Sequence, residues 1–101
     1  MIYFIGCPAA DAVKIGVTWN NPYSRLGQAQ VNCPLDLELL ATCVGGVNAE
    51  RELHDRFADL RIRGEWFRLS DELRAHIQQF TRPEKLPRGW HGQQRNRRAA
   101  A

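Results

Sequence analysis

The 101-residue chain is long enough for one domain with one modest hydrophobic core, and its composition is that of an ordinary globular protein. Its net charge of +3 is uneven: residues 82–101 hold six basic residues and one acidic residue, while residues 1–81 hold eight basic and ten acidic residues. Such a basic tail is typical of proteins that meet nucleic acid, because Lys and Arg displace counterions from phosphate. We therefore expect a domain over residues 1–81 and a basic, disordered tail over residues 82–101. The alternative is that the tail is only a solvated end.

The sequence also argues against several classes of protein. No apolar run approaches the roughly 20 residues of a membrane helix, and the N-terminal segment lacks the basic region of a secretory signal. The three cysteines, Cys7, Cys33 and Cys43, are an odd number without a closely spaced pair, which indicates reduced and mostly buried thiols. The three histidines are too far apart to suggest a zinc cluster. We expect a cytoplasmic protein that uses neither a membrane nor a small-molecule cofactor, and the sequence leaves its oligomeric state open.

The chain begins with the pattern of a β-hairpin. Two short runs rich in β-branched and aromatic residues are separated by a polar segment that contains Pro8 and Asp11. The predicted strands cover residues 2–6 and 13–18.

A helix and a third strand are predicted next. Asn21 is suited to cap a helix over residues 22–31 whose first residue is Pro22, and Pro34 prevents the helix from continuing. Residues 36–44 then alternate apolar and polar side chains before becoming continuously apolar, which predicts a strand beside the hairpin.

The strongest helical pattern follows, over residues 48–59, with Asn48 as the predicted N-cap. Apolar residues spaced four and three apart mark one face of this helix. An adjacent face carries Glu50 and His54, four residues apart. Such a pair often makes only a weak contact on a solvent-exposed helix, so a structural role is the alternative to a functional one.

The last predicted elements are a short strand or extended hook over residues 64–69, which packs Trp66 and Phe67 into the core, and a helix over residues 71–80. Ser70 is the predicted cap of this helix, and His76 is expected at its surface. The expected fold class is α/β of the α+β type, with a small three-stranded, antiparallel-containing sheet flanked by about three helices.

Two blocks of this sequence resemble the GIY-YIG nuclease superfamily. That signature pairs a Gly-Ile-Tyr strand with a Tyr-Ile-Gly strand across a spacer of ten or eleven residues, and here Met1-Ile2-Tyr3 and Lys14-Ile15-Gly16 are separated by ten residues. The short, phage-type "DNA-binding" branch of the superfamily also carries a glutamate, a Leu-His pair, a Phe and an Arg-x-x-Gly-Glu-Trp-Phe block. This chain has Glu50, Leu53-His54, Phe57 and then RIRGEWF over residues 61–67.

The resemblance implies a metal-dependent DNA endonuclease that hydrolyses phosphodiester bonds with one Mg²⁺ or Mn²⁺ ion. It implies that Glu50 binds the metal and that Tyr3, assisted by Lys14, takes the proton of the attacking water. Arg25 is expected to contact the phosphate, and His54 to orient Tyr3 or relay a proton.

The expected DNA contacts are all arginines: Arg25, Arg61, Arg63, Arg88, Arg95, Arg97 and Arg98.

The chain departs from the family pattern in three ways. Met1 replaces the first glycine, Lys14 replaces the second tyrosine, and no asparagine lies between Glu50 and Arg95. The role of Glu65 is left open.

The sequence offers no separate recognition domain, so we expect cleavage with low or structure-based specificity. Two alternatives remain open at this point. The first is a DNA-binding module of the same fold that cleaves weakly or not at all. The second is a domain whose main role is to bind another protein, with the basic tail as an interaction arm.

Overall fold

The computed structural model of the chain describes residues 1–84 and shows an α+β fold. Within that part there are three α-helices and five strands, with single turns of 3₁₀ helix at Pro8–Ala10 and Ala58–Leu60. The elements, in chain order, are β1 (Ile2–Cys7), β2 (Ala12–Val17), α1 (Pro22–Val31), β3 (Glu38–Cys43), α2 (Val47–Arg56), β4 (Arg61–Arg63), β5 (Trp66–Arg68) and α3 (Asp71–Ile77).

The strands form one antiparallel sheet in the order β3-β1-β2-β5-β4. The predicted N-terminal hairpin and the third strand beside it are confirmed, and in the hairpin Tyr3 lies opposite Gly16. The prediction of a three-stranded sheet was wrong, because β4 and β5 add a second hairpin to the free edge of β2. Gly64, with a φ of 55°, lies in the connection between these two short strands, where a left-handed backbone favours glycine.

Side chains of β1 alternate between two hydrophobic layers, and the whole strand is buried. Ile2 and Phe4 pack in the layer formed with α2 and α3, whereas Tyr3 and Ile5 pack in the layer formed with α1. The sheet therefore lies between α1 on one face and the other two helices on the opposite face. This alternation directs Tyr3 toward α1.

Two of the three predicted helix caps are confirmed. The side chains of Asn21 and Ser70 accept backbone N–H hydrogen bonds at 2.9 and 3.2 Å at the starts of α1 and α3. The assignment of Asn48 as the cap of α2 was wrong: the helix begins one residue earlier, with Gly46 in the cap position in an extended conformation. The cap residue of α2 therefore offers no side-chain acceptor to the first backbone N–H groups of the helix.

Residues on both sides of the predicted domain boundary, which follows residue 81, make hydrogen bonds with the rest of the domain. The backbone N–H of Thr42 donates to the carbonyl of Thr81 at 3.0 Å, and the hydroxyl of Tyr23 donates to the carbonyl of Pro83 at 2.7 Å. The rest of the predicted tail, with Arg88, Arg95, Arg97 and Arg98, lies outside the described residues.

No helix within residues 1–84 is both long and apolar enough to cross a bilayer. Of the free cysteines, Cys7 is buried, while Cys33 and Cys43 are half-buried.

His76 is half-buried, so its predicted surface position was wrong. Its ring lies 6.3 Å from that of Phe4, 5.8 Å from that of Phe57 and 5.4 Å from that of Phe80, measured between centroids. The Arg56 guanidinium donates to its Nδ1 at 3.3 Å. Burial lowers the pKa of His76, and the charge of Arg56 lowers it further.

This environment predicts a pH-dependent stability. Because the pKa of His76 in the folded protein lies below its unfolded value of about 6.5, the unfolded chain binds more protons in that range. The free energy of unfolding should therefore fall as the pH falls from the unfolded pKa, about 6.5, toward the lower pKa of the folded protein. Glutamine at this position cannot titrate, so His76→Gln should show a shallower decline. Urea unfolding at a series of pH values would measure both slopes, and equal slopes would contradict the assignment.

Candidate functional site

A cleft of about 420 Å³ lies on the side of the sheet that faces α1. Three of the five predicted catalytic residues line it: Tyr3 from β1, Lys14 from β2 and Arg25 from α1. The other residues that line it are Gln28, Ala29, Asn32, Cys33 and Trp66. The fold thus brings these three side chains, distant in sequence, to one concave surface.

The position of Tyr3 depends on the glycine opposite it. A Cβ atom added to Gly16 would lie 2.3 Å from the Tyr3 hydroxyl oxygen and 2.4 Å from Cζ, so the end of the ring lies directly on the backbone of β2. Tyr3 is only 1% exposed. Tight packing on all sides therefore fixes the ring and the direction of its hydroxyl group.

Lys14 contacts Trp66 of β5 and Glu65 in the turn before that strand. Its Nζ lies 3.2 Å from Glu65 Oε1 and 5.9 Å from the centre of the Trp66 ring, and its side chain is 24% exposed. The pairing of β2 with β5 places Lys14 opposite Trp66, and the N–H of Ile15 donates to the carbonyl of Glu65 at 3.0 Å. The strand pairing therefore brings Glu65 into the site.

Glu50 is connected to the cleft through this ion pair rather than by lining the cleft itself. Its Oε2 atom is buried and has no hydrogen-bond partner among the described residues. Burial raises the pKa of the Glu50 carboxyl, and the charge of Glu65 and a side-chain hydrogen bond with it raise it further, while His54 and Arg51 act in the opposite direction. The Glu65 carboxyl, which pairs with Lys14, thus lies beside the carboxyl of Glu50.

His54 uses both of its ring nitrogens in contacts within the protein. Nε2 lies 2.9 Å from the carbonyl oxygen of Ile15, and Nδ1 lies 3.2 Å from the Arg61 guanidinium. Since a guanidinium can only donate, Nδ1 is the acceptor and the N–H of Nε2 donates to Ile15. The ring also packs 4.9 Å from that of Phe67. These contacts tie α2 to β2, and the expected relay between His54 and Tyr3 stays a prediction.

The three described arginines that were predicted to contact DNA lie in different places. Arg25 is exposed at the cleft and donates to Gln28 at 3.2 Å. The strand pairing is irregular between Arg61 and Arg63. Arg61 lies against His54, whereas Arg63 lines a second pocket beside the cleft. Of these three, Arg25 is the one that lines the cleft.

Two polar residues of the cleft were missed by the sequence interpretation. Gln28 and Asn32 follow Arg25 by three and seven residues, which is the spacing of one helix face, and that spacing was the available signal. Gln28 and Asn32 add amide donors near the two cationic side chains.

The carboxyl groups suit a divalent cation of the magnesium type. Within residues 1–84 there is no group of three or more His, Cys, Asp or Glu side chains that could hold a metal ion. Mg²⁺ is commonly bound by one or two carboxylates and the phosphate of the substrate, and it keeps several waters. Glu50, with its unpartnered buried oxygen, and the adjacent Glu65 fit that requirement.

Comparison with known proteins gives a match to a family model. The model of the T5orf172 domain matches residues 1–83, a span that includes the cleft and both carboxyl groups. No curated protein and no solved structure matches the chain significantly. The protein belongs to the T5orf172 domain family, a phage-associated and nuclease-related group.

Proposed function

We propose that the protein is a metal-dependent DNA endonuclease of the GIY-YIG type, with low or structure-based specificity. The observation that carries this proposal is the shared cleft of Tyr3, Lys14 and Arg25, which is linked to Glu50 through Glu65. Membership of a nuclease-related family adds support.

Binding of the substrate phosphate falls to Arg25. Its guanidinium is exposed at the cleft and can form two parallel hydrogen bonds to phosphate oxygens. Gln28 and Asn32 line the same cleft and offer neutral amide donors. Together these groups orient a phosphodiester against the face of the sheet that carries Tyr3.

The proton of the attacking water passes to Tyr3. Packing against Gly16 holds the hydroxyl in one direction, and a correctly placed acid–base group contributes to catalysis only when it is within reach of the proton. Tyr3 can take that proton only as a phenolate, so its own proton is first given to solvent, and the ammonium of Lys14 on the same cleft stabilises the negative charge that this leaves on the oxygen. Glu65 keeps that ammonium in place through the 3.2 Å ion pair.

Glu50 and the neighbouring Glu65 would hold Mg²⁺ or Mn²⁺. When bound, the ion would supply positive charge that offsets the charge developing on the phosphate and the leaving oxygen. His54, fixed between Ile15 and Arg61, keeps α2 against β2 and so holds Glu50 in position. In this account His54 acts as a positioning residue.

DNA is the proposed partner along a wider surface as well. Arg61 and Arg63 lie on the second hairpin, and Arg61 stacks 5.3 Å from the centre of the Phe67 ring. The arginines of the tail, which lie outside the described residues, are proposed as further phosphate contacts: Arg88, Arg95, Arg97 and Arg98.

A second candidate function is a DNA-binding module that cleaves weakly or not at all. Two of the predicted catalytic residues, Lys14 and His54, are already engaged by Glu65, Ile15 and Arg61. That engagement favours a structural role for these two residues more than a chemical one. The two functions differ in cleavage, and both require the phosphate contact at the cleft.

Removal of Arg25 tests this shared requirement. We expect Arg25→Ala to weaken duplex DNA binding about tenfold, since a charge-assisted hydrogen bond contributes about 1.5–3 kcal/mol, and to lower the salt slope by about 0.9. Arg74→Ala is the matched control, because Arg74 is also exposed but pairs with Asp11 at 3.2 Å and does not line the cleft. Fluorescence anisotropy over a range of salt concentrations would compare the two. Equal losses in both variants would indicate non-specific attraction rather than a site at the cleft.

A further inference from the structure

A second pocket, of about 290 Å³, lies directly beside the cleft. Cys33 and Trp66 line both cavities, so the two are neighbours and Trp66 forms part of the wall between them. The residues that line this second pocket are Cys7, Ala10, Ala12, Cys33, Leu35, Ile62, Arg63 and Trp66.

The chemistry of this pocket differs from that of the cleft. Its lining is apolar except for Arg63, and two of its aliphatic side chains are unusually accessible: Ile62 is 59% exposed and Leu35 is 41% exposed. Exposed apolar side chains that converge on a concave surface mark a place where an apolar group binds. Trp66 adds an aromatic side chain, and Arg63 adds a cation.

These properties match one part of the proposed substrate. A nucleobase is flat and stacks on aromatic side chains in a sequence-tolerant way, while the phosphates attached to it attract arginine. On the other side of Trp66, the cleft presents Lys14 and Arg25, the pair suited to a phosphate. A phosphate in the cleft and a base in the pocket are therefore the two ends of one short stretch of a DNA strand.

We propose that Trp66 and the apolar pocket bind a nucleobase of the strand whose phosphate lies in the cleft. This inference rests on the DNA function proposed above and specifies its substrate. A base that enters the pocket must leave its stack, which is least costly in single-stranded or mismatched DNA. The site therefore selects single strands, or strands splayed at a branch, over intact duplex.

The test compares two strands of about twelve nucleotides that carry the same phosphates, measured without divalent metal so that no cleavage occurs. One is oligothymidylate, and the other has abasic sites throughout. Wild type should bind the thymidylate strand about tenfold more tightly, and Trp66→Leu should bind the two strands with equal affinity. Trp19→Leu is the matched control, because Trp19 is 76% exposed and lines neither cavity.

A second variant and the other possible outcomes decide between the base pocket and the DNA function as a whole. Leucine keeps the apolar character of the half-buried position, and Ile62→Ser, at an exposed position, provides a second variant that should also reduce the preference. If wild type binds both strands equally while Arg25→Ala weakens both, the DNA function stands and the base pocket is wrong. If wild type binds neither strand, the proposed function fails and the pocket assignment fails with it.

Discussion

Replacement of Glu50 by glutamine should reduce DNA cleavage by several orders of magnitude. Glutamine keeps the size of the side chain but removes the charge that attracts the metal ion. The charge stabilisation that a metal supplies is worth several kcal/mol, and each 1.36 kcal/mol is about a tenfold change in rate. DNA binding should persist or become tighter, because a carboxylate repels phosphate when no metal is present.

The melting temperature should not fall in this variant, because the charge is removed from one of two adjacent carboxyl groups at a half-buried position. Glu52→Gln is the matched control: it removes the same charge from an exposed position two residues along α2. Cleavage by this control should equal that of wild type in a gel assay with Mg²⁺. If the two variants lose cleavage to the same extent, Glu50 has no special role.

The second large effect is expected at Gly16. Alanine there would place a methyl group 2.3 Å from the Tyr3 hydroxyl oxygen, far inside van der Waals contact, and Tyr3 is too buried to move aside freely. Overpacking of this kind costs about 1–3 kcal/mol of stability. Because the displaced group is the proposed general base, cleavage should fall much further than the change in stability alone would explain.

Gly27→Ala provides the control for this prediction. Gly27 lies within α1, and apart from its chain neighbours and the backbone of its own helix, no described atom lies within 4 Å of a Cβ added there. Alanine should stabilise the helix by about 0.5–1 kcal/mol and leave cleavage unchanged. Thermal melts and cleavage rates of both variants would be measured together. Wild-type stability and activity in Gly16→Ala would show that the close contact between Tyr3 and β2 has no part in the site.

The hairpin and two of the three helix starts could be predicted because their determinants are local. Two short runs of β-branched and aromatic residues around a polar turn specify two strands, and the short polar side chains of Asn21 and Ser70 satisfy backbone donors within three residues. The resemblance to a nuclease signature then identified Tyr3 and Lys14, which the fold brings to one cleft with Arg25.

The remaining features depend on contacts between distant segments. Strands β4 and β5 have three residues each, too few for a period of two to be recognised. The pairing of β5 with β2 is what brings Glu65 to Lys14, so the sequence could identify the Glu65 block without assigning its role. The burial of His76 likewise depends on how α3 packs against Phe4 and Phe57, which its own helical pattern does not specify.

The proposed nuclease activity is tested most directly by one cleavage assay. Wild type and Glu50→Gln would be incubated in parallel with linear, nicked and branched DNA, in Mg²⁺ and in Mn²⁺. Wild type is expected to cleave at least one of these substrates, most readily the branched one, whereas the variant and a chelated sample are expected not to. Wild type that shows no cleavage above the Glu50→Gln background on any of them would contradict the enzyme assignment and leave a DNA-binding module.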